Sequence, residues 1–345
     1  MAVKNAIAKN WSSWIRGADG YLRSDDPSGL YGSVPPALPQ SYVTRTYSLP
    51  AGGTTWTATS SGSGAGSGGL GQTGCGHLYA FANCVGGDVI IMSVGVNFTP
   101  VQLRNISGSS FVYVISANLA SLPAAGTRVA PANAANMAVI EGTAATGAVY
   151  TATGAHHFRF VGIEIRNLAA DFVFNTITIG NGETTDATAP HHILFDRCYI
   201  HGRSHATLAG RRGFYMTGST VGVFDSYVSG FYENGADSQA ILLAYGAGPF
   251  CIYNNYLEAA SENVMLGGVD PPISGSIASD VQIVHNTFDK PTVWIAAGVG
   301  DVKNLFESKG GQRVLFEGNT LVNCWYGTIG AGQNGFGIVL THRNQ

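Results

Sequence analysis

Charged residues are scarce in this chain. Asp, Glu, Lys and Arg make up 11% of its 345 residues, against about 25% in an average globular protein. A chain so poor in lysine and glutamate cannot contain many exposed amphipathic helices, because such helices need a charged face. The formal net charge of −3 at pH 7 gives no general attraction to nucleic acid or to an anionic membrane, so we expect neither as a partner.

Long apolar runs are missing as well. No window reaches the roughly 18 consecutive apolar residues that a membrane-spanning helix needs, so we expect no membrane insertion. The N-terminal stretch MAVKNAIAKNWSSWIRGADG has spaced apolar residues and no cleavage site, unlike a signal peptide. This leaves a cytosolic protein, a protein released by another route such as inside a virion, or one made without its leader.

Cysteine is rare, and its five copies cannot all pair within the chain. No C-x-x-C pair of the zinc-binding type occurs. Cys75 and Cys84, in CGHLYAFANC, are close enough in sequence for a small disulfide loop, and the sequence favours neither the bond nor its absence. The other three, Cys198, Cys251 and Cys324, lie in strand-like segments, and we expect them to be small buried hydrophobic residues.

Glycine is abundant, with 47 copies, which suits many short strands joined by tight turns. The apolar residues of the first segment fall on one helical stripe, namely Val3, Ile7, Trp11, Trp14 and Ile15. We therefore predict a short amphipathic helix over 3–15, within a cap or docking segment that spans 1–45. Residues 46–86 are predicted as a Gly/Ser-rich lead-in, and 87–345 as the main domain.

A repeat can be aligned from residue 190 onward. Its copies are ILFDRCYIHG, VGVFDSYVSG, FCIYNNYLEA, VQIVHNTFDK and VLFEGNTLVN, spaced by about 28 to 33 residues. Short strands without helices between them predict an all-β fold, a single-stranded right-handed parallel β-helix. One column of the alignment reads Cys198, Ser226, Asn255, Asn286 and Asn319. We predict an asparagine ladder there, because a buried corner amide can bond its own turn and the next amide.

The stretch NNYLEAASENVMLGG resembles a coil of the pectate-lyase-like β-helix superfamily, in which an Asn-Asn-aromatic turn precedes a strand ending in Met-Leu-x-Gly. The stretches GAHHFRFVGIEIRN, DSQAIL and VKNLFESKGGQRVLFEGN resemble uncharacterised bacterial β-helix proteins. The resemblance covers roughly residues 85–345 and implies the fold more specifically than an activity. The fold is shared by lyases, hydrolases, tailspikes and adhesins.

A polar cluster is the first candidate site. Three neighbouring coils supply it with Asp237 and Gln239, with Glu258, Glu262 and Asn263, and with Lys303, Glu307 and Lys309. Coils stacked about 4.8 Å apart would bring these side chains to one flank. The carboxylates of Asp237, Glu258 and Glu262 would then bind Ca²⁺. Lys303 or Lys309 would remove the C5 proton of a uronic sugar in a β-elimination.

One position departs from the resembled lyases, which carry a lysine just before the Val-Met-Leu strand. Here that position is Asn263, which cannot act as a base, so Lys303 and Lys309 on the next coil are the candidates to substitute for it. Gln239 and Asn263 are then expected to contact the substrate. The alternative is a salt-bridge ladder between the glutamates and lysines of the cluster, without any chemistry.

The loop HGRSHATLAGRR is the most basic local patch, and its Arg203, Arg211 and Arg212 are candidate contacts for an acidic glycan or a phosphate. A solvated loop is the alternative. Three aromatic residues are candidates either for stacking on sugar rings or for the core: Tyr232, Tyr245 and Trp294.

Two histidine pairs, His156-His157 and His191-His192, each precede a predicted strand. Strand alternation predicts that one member of each pair points inward and the other outward. Stacked histidines of two coils could bind a metal ion, but buried, hydrogen-bonded histidines are the favoured interpretation.

Two functions therefore compete. The first is a β-helix that binds an acidic polysaccharide and cleaves it as a Ca²⁺-assisted lyase or as a glycoside hydrolase. The second is a non-catalytic structural protein, such as a phage tail or fibre component or a surface adhesin, in a homo-oligomer or a larger assembly. Both place the protein outside the cell or on a virion surface.

Overall fold

The computed structural model describes residues 14–16, 22–24, 48–66, 73–167, 172–180, 182–202, 208–325 and 335–341. In these ranges the chain winds through three parallel sheets in a fixed order, which we call sheets I, II and III. Each full coil contributes one strand to each sheet, and each strand pairs with the equivalent strands of the coils before and after it. The predicted parallel β-helix is confirmed.

The strands of sheets II and III stack in chain order, and so do those of sheet I from Val89–Met92 onward, with Thr55–Ser60 beside Val89–Met92 and Thr73–Gly76 at the edge. Sheet I contains Thr55–Ser60, Thr73–Gly76, Val89–Met92, Val112–Ser116, His156–Val161, His191–Asp196, Ser219–Phe224, Phe250–Tyr253, Ser279–Val284 and Gln312–Glu317. Sheet II stacks Asn97–Phe98, Ala138–Gly142, Ile163–Asn167, Tyr199–His201, Tyr227–Glu233, Tyr256–Ala259, Thr287–Asp289 and Thr320–Val322, with Leu208–Gly210 antiparallel to Tyr227–Glu233. Sheet III contains Val101–Leu103, Val149–Thr151, Asn175–Ile179, Arg212–Met216, Gln239–Leu243, Glu262–Leu266, Phe306–Ser308 and Ile338–Leu340.

The core is a column of apolar side chains enclosed by the three sheets. On sheet III, for example, the inward positions in register are Ile177, Phe214, Ile241, Val264 and Phe306. All five are buried, because each coil places the same strand position above the one before it. The short apolar runs of the sequence are therefore single strands of this stack.

The asparagine ladder is confirmed at the corner between sheets I and II. Asn255 Nδ2 donates to Asn286 Oδ1, and Asn286 Nδ2 donates to Asn319 Oδ1, each at 3.0 Å. The residue before each ladder position has a positive φ in four successive coils, with values of 49° to 58°: Arg197, Asp225, Asn254 and His285. This left-handed residue makes the corner sharp enough to turn the ladder side chain into the interior.

The beginning of the chain departs from the prediction. Trp14–Arg16 forms a strand antiparallel to Leu22–Ser24, so a helix that reaches Ile15 is wrong. Aromatic and β-branched residues favour a strand once a partner strand is present. Residues 1–13 lie outside the described ranges. Sheet I already includes Thr55–Ser60 and Thr73–Gly76, within the segment predicted as a lead-in.

Helices are short and peripheral. His77–Asn83 is an α-helix that buries Ala80 and Phe81 against the first coils, and Val293–Ala297 is a second, five-residue α-helix. Turns of 3₁₀ type occur at Leu119–Ser121, Pro131–Asn136 and Asp186–Thr188. None of the helices in the described part of the chain is long and apolar enough to cross a membrane.

The loop of residues 117–137 runs along the corner that carries the ladder. Arg128 Nε donates to Asn254 O at 2.9 Å, and Arg128 Nη1 donates to Thr287 Oγ1 at 3.1 Å. The Gly126 amide donates to Asp225 Oδ2 at 2.9 Å. The loop thus contacts coils that lie far along the chain.

The cysteines are free. Cys75 and Cys84 are both buried and make no disulfide, so the loop that their spacing allows does not form. Burial raises the pKa of the Cys84 thiol to about 11, and its Sγ contacts the Phe81 carbonyl instead. Cys198 and Cys251 are buried as predicted, while Cys324 is partly exposed.

Candidate functional site

Polar side chains occupy the first position of four consecutive strands of sheet III. They stand in register as Asn175, Arg212, Gln239 and Glu262, and we call them the polar column. Arg212 Nε donates to Gln239 Oε1 at 2.6 Å, and Gln239 Nε2 donates to Glu262 Oε2 at 2.7 Å. Arg212 Nη1 reaches Asn175 Oδ1 at 3.4 Å. Parallel stacking thus converts four separate strand starts into one hydrogen-bonded row.

Lys303 joins this column to Asp237. Its Nζ lies 2.5 Å from Asp237 Oδ1 and 3.9 Å from Glu262 Oε1. The predicted convergence of Asp237, Gln239, Glu262 and Lys303 on one flank is therefore seen. The coil that supplies Lys303 also has a pair of its own, with Lys309 Nζ 3.8 Å from Glu307 Oε1.

The electrostatics of this group favour ion pairing over proton abstraction. Burial, and then the charge of Asp237, raise the pKa of Glu262, whose Oε1 has no hydrogen-bond donor in the described structure. Burial by itself would lower the pKa of the Lys303 amine. The hydrogen bond to Asp237 and the charges of the neighbouring carboxylates have a larger effect, and the pKa is raised. Lys303 is therefore an ammonium ion at neutral pH and cannot accept a proton.

Glu258 lies elsewhere, on the outer face of sheet II. It accepts a hydrogen bond from the Gly230 amide at 2.9 Å, and the Tyr256 hydroxyl lies 3.0 Å from its Oε2 and 2.8 Å from Asp289 Oδ2. Burial raises the pKa of Glu258 to about 7. The sequence places Glu258 and Glu262 on one turn, but Glu258 lies within the strand Tyr256–Ala259 of sheet II, and Glu262 begins a strand of sheet III. The structure therefore places two of the three expected calcium ligands on different sheets.

Asn263 is a structural residue of the corner between sheets II and III. Its Nδ2 donates to the Leu257 and Asp289 carbonyls at 2.7 Å each, and its Oδ1 accepts from Lys290 Nζ at 2.9 Å. The side chain has no exposed surface, so the expected substrate contact is not available.

Lys290 was not predicted from the sequence as part of the site. Its fully buried amine donates to the carbonyls of Ala259, Ala260 and Ser261 at 2.7 to 3.1 Å. A signal was present in the repeat alignment. Lys290 ends VQIVHNTFDK, whereas the other four copies end in Gly, Gly, Ala and Asn.

Two arginines stand beside the polar column. Arg211 forms a two-pronged ion pair with Glu233, at 2.5 and 2.9 Å, and its guanidinium carbon lies 4.2 Å from the centre of the Phe174 ring. The Arg212 guanidinium carbon lies 5.0 Å from the same ring. Burial, and then the charge of Arg211, lower the pKa of Arg212 to about 10, so it remains a cation at neutral pH. Arg203 lies outside the described residues.

A cavity of about 350 Å³ opens on the outer face of sheet III next to these arginines. Its lining includes Gln102, Thr146, Tyr150, Phe174, Asn175 and Thr178. Phe174 and Asn175 therefore connect the cavity to the arginines, one through the ring and the other through its amide oxygen. The cavity is thus lined by aromatic, amide and hydroxyl groups, and the cations of Arg211 and Arg212 lie beside it.

The three aromatic candidates belong to the interior. Tyr232 and Trp294 pack against each other with Ala260 and Val299, and Tyr245 packs beside Leu242 and Met265. All three aromatic residues are buried, so none presents a ring face to a sugar.

The histidine pairs contradict the alternation prediction. His156 and His191 are paired in register, and His157 and His192 have φ of 58° and 56°. The four rings form two stacks, with centroids 4.9 Å apart for His156 and His191 and 4.3 Å apart for His157 and His192. Burial, and then the neighbouring histidines, lower the pKa of His157 and of His192 to about 4.

Comparisons with known proteins support the assignment of the fold. No protein-family model and no curated protein matches this chain. The structure is similar to that of the pectate lyase Pel9A, with 14% identity, a TM-score of 0.53, and coverage of 89% of this chain and 81% of that one. A pectin methylesterase from Aspergillus niger is also similar, at 10% identity and a TM-score of 0.44, covering 87% of this chain and 88% of that one. At such low identity the likeness to Pel9A shows the fold alone.

Proposed function

We propose that this β-helix protein binds an acidic polysaccharide on the outer face of sheet III. The observation that carries the proposal is a cavity of about 350 Å³ whose lining residue Phe174 contacts the guanidinium groups of Arg211 and Arg212 beside the cavity. Its volume lies in the range of about 300 to 1,000 Å³ that is typical of sites for small ligands. One or two sugar rings of a longer chain would occupy such a space.

The lining matches the chemistry of a uronic sugar. The rings of Tyr150 and Phe174 offer apolar surfaces to the C–H faces of a sugar. The amides of Gln102 and Asn175 and the Thr178 hydroxyl offer donors and acceptors to its hydroxyl groups. The N–H groups of Arg211 that its ion pair with Glu233 does not use would then bind a carboxylate through charge-assisted hydrogen bonds.

Binding is better supported than cleavage. A β-elimination needs a base, but Lys303 is held as an ammonium ion by Asp237, and Lys309 lies 3.8 Å from a Glu307 carboxylate oxygen. We therefore derive no catalytic step from either lysine. The pairing of both lysines with carboxylates agrees with the salt-bridge alternative that the sequence left open.

The carboxylates also do not fit a calcium ion. The Lys303 ammonium lies between Asp237 and Glu262, so the place that a cation would take is occupied by a side chain. Glu258, the third expected ligand, lies on sheet II and not on sheet III. Ca²⁺ usually takes six to eight oxygen ligands, which this pair of carboxylates does not supply.

A polysaccharide-binding β-helix would act where glycans are exposed. We therefore propose an extracellular or virion-surface location for the protein, as an adhesin or a tail component that recognises a cell-surface glycan. The proposal rests on the chemistry of the sheet III face.

Calorimetric titration with polygalacturonate and with alginate tests the proposal, and fully methyl-esterified pectin serves as the uncharged probe. We expect the acidic polymers to bind with an affinity that falls as salt is added. Arg211→Gln should weaken binding about tenfold, since it removes a charge beside the cavity. EDTA should leave the affinity unchanged.

Arg166→Gln is the matched control. Arg166 also pairs with carboxylates, Glu141 and Glu164, but it lies on sheet II. Its substitution should leave polysaccharide affinity within twofold of the parent protein. Absence of binding by the folded parent, or equal losses in both variants, would overturn the proposal.

A further inference from the structure

Four histidines form a compact group at the start of two adjacent strands of sheet I. Within each sequential pair the Nδ1 atoms lie 2.8 Å apart, both for His156 with His157 and for His191 with His192. Potential ligand nitrogens of His157, His191 and His192 all lie within 4.8 Å of one another. We call this group the histidine cluster.

The backbone explains why both members of each pair lie on the same side. A regular strand would send neighbouring side chains to opposite faces. His157 and His192 instead have φ of 58° and 56°, a left-handed conformation that turns the second ring toward the first. Because His156 and His191 are in register, the same irregularity in two coils brings all four rings together.

The spacing within each pair suits two ligands at a right angle. With metal–nitrogen bonds of about 2.0 to 2.1 Å, adjacent nitrogens at a right angle are about 2.9 Å apart, whereas tetrahedral ligands are about 3.3 Å apart. The observed 2.8 Å is the length of an Nδ1–H···Nδ1 hydrogen bond between the two rings, and it is close to the first value, so a metal ion that replaces the shared proton needs little ring movement within a pair. Square or tetragonal nitrogen sites are typical of Cu²⁺ and Ni²⁺.

A neighbouring residue already orients one of the rings. His156 Nε2 lies 3.1 Å from Asn105 Oδ1, and in the tautomer in which Nε2 donates to this acceptor, Nδ1 keeps a lone pair toward His157. Histidine ligands of metal sites commonly donate their second N–H to such a partner. The Phe111 ring lies 5.4 Å from His157 and 6.3 Å from His192, and gives the cluster an apolar wall.

We propose that the histidine cluster binds one late first-row divalent transition metal ion, with Cu²⁺ and Ni²⁺ preferred over Zn²⁺. The ion would be held by imidazole nitrogens of two consecutive coils and would fasten these coils together. This site is separate from the polysaccharide face, because its residues begin strands of sheet I and the cavity lies on sheet III.

The test is calorimetric titration of the untagged protein with CuCl₂, NiCl₂ and ZnCl₂, together with electron paramagnetic resonance of the copper form. We expect one ion per chain, a rise in melting temperature, and a copper spectrum with nitrogen ligands in the equatorial plane. The double variant His157→Asn/His192→Asn should weaken Cu²⁺ binding at least about 100-fold. Asparagine tolerates the positive φ at both positions, so the fold should be kept.

Two further variants separate a built site from casual binding by exposed histidines. Asn105→Ala should weaken Cu²⁺ binding by about tenfold, because it removes only the residue that positions His156. His285→Asn changes an exposed histidine that also has a positive φ, and it should leave the affinity unchanged. Wild-type affinity in the double variant, equal losses in the His285 control, or tighter binding of Zn²⁺ than of Cu²⁺ would overturn the proposal.

Discussion

At the scale of single residues, the most unusual group is the buried amine of Lys290. Burial lowers the pKa of this amine to about 7, yet three backbone carbonyls and the Asn263 amide oxygen surround it as acceptors. These oxygens belong to the corner between sheets II and III, where the backbone leaves the sheets and loses its ladder partners. Lys290 therefore provides hydrogen bonds that this corner would otherwise lack.

Lys290→Met should destabilise the protein by about 3 kcal/mol or more, because it leaves several buried carbonyls without donors. Urea unfolding followed by circular dichroism measures the change. Lys309→Met is the control, since Lys309 has only a loose ion pair with Glu307, and it should cost less than about 1 kcal/mol. Equal stabilities of the two variants would contradict the role assigned to Lys290.

Glu258 gives a residue-level prediction about pH. Its folded-state pKa of about 7 lies above the ordinary value of 4.5, so the folded protein holds this proton more tightly than the unfolded chain. The contribution of Glu258 to stability is therefore full below about pH 4.5 and is lost as pH rises toward about 7. The unfolding free energy of Glu258→Gln, relative to that of the parent protein, should therefore increase by about 2 kcal/mol as the pH is raised from 5 to 8. Denaturant unfolding at both pH values checks this, and a difference that does not change with pH would count against it.

At the scale of elements, the corner between sheets I and II is held by its asparagine ladder. Asn286 is a central residue of the ladder. Its Oδ1 accepts a hydrogen bond from the backbone N–H of Asn255 at 2.8 Å, and its Nδ2 donates to the Ile252 carbonyl at 2.8 Å. Removing this side chain breaks bonds to the coils on both sides and leaves buried backbone groups unpaired.

Asn286→Ala should therefore cost about 3 kcal/mol of unfolding free energy. The exposed Asn83 makes a hydrogen bond to the Tyr79 carbonyl at 2.8 Å, and Asn83→Ala should cost less than about 1 kcal/mol. Thermal and urea unfolding of the two variants compare the sites. A loss for Asn286→Ala as small as that of the control would show that the ladder adds little.

The elements also show where sequence reasoning succeeds and where it fails. Repeat spacing is enough to predict the ladder and the meeting of Asp237, Glu262 and Lys303, because both follow from stacking one coil on the next. It cannot show that Ala260 and Ser261 separate two sheets, which sends Glu258 and Glu262 to different faces. Nor does it reveal the positive φ at His157 and His192, because only a few per cent of non-glycine residues adopt this conformation.

At the scale of the whole molecule, a sequence repeat predicts a parallel β-helix because each coil buries the same positions against its neighbours. The repeat is clear from residue 190 and fades toward the beginning of the chain. There the Gly- and Ser-rich composition hides the strand Thr55–Ser60, which pairs with Val89–Met92 at the start of sheet I. Composition reflects the turns of such a segment more strongly than its short strands.

The long stack of coils gives the molecule extended outer faces, and the central claim is that sheet III presents the face that binds an acidic glycan. The most direct measurement is a crystal structure of the protein with a galacturonate or alginate hexasaccharide, without added calcium. We predict sugar rings beside Tyr150 and Phe174, with a carboxylate bonded to Arg211 or Arg212. A sugar chain bound to sheet I or sheet II, with the sheet III cavity empty, would contradict the account.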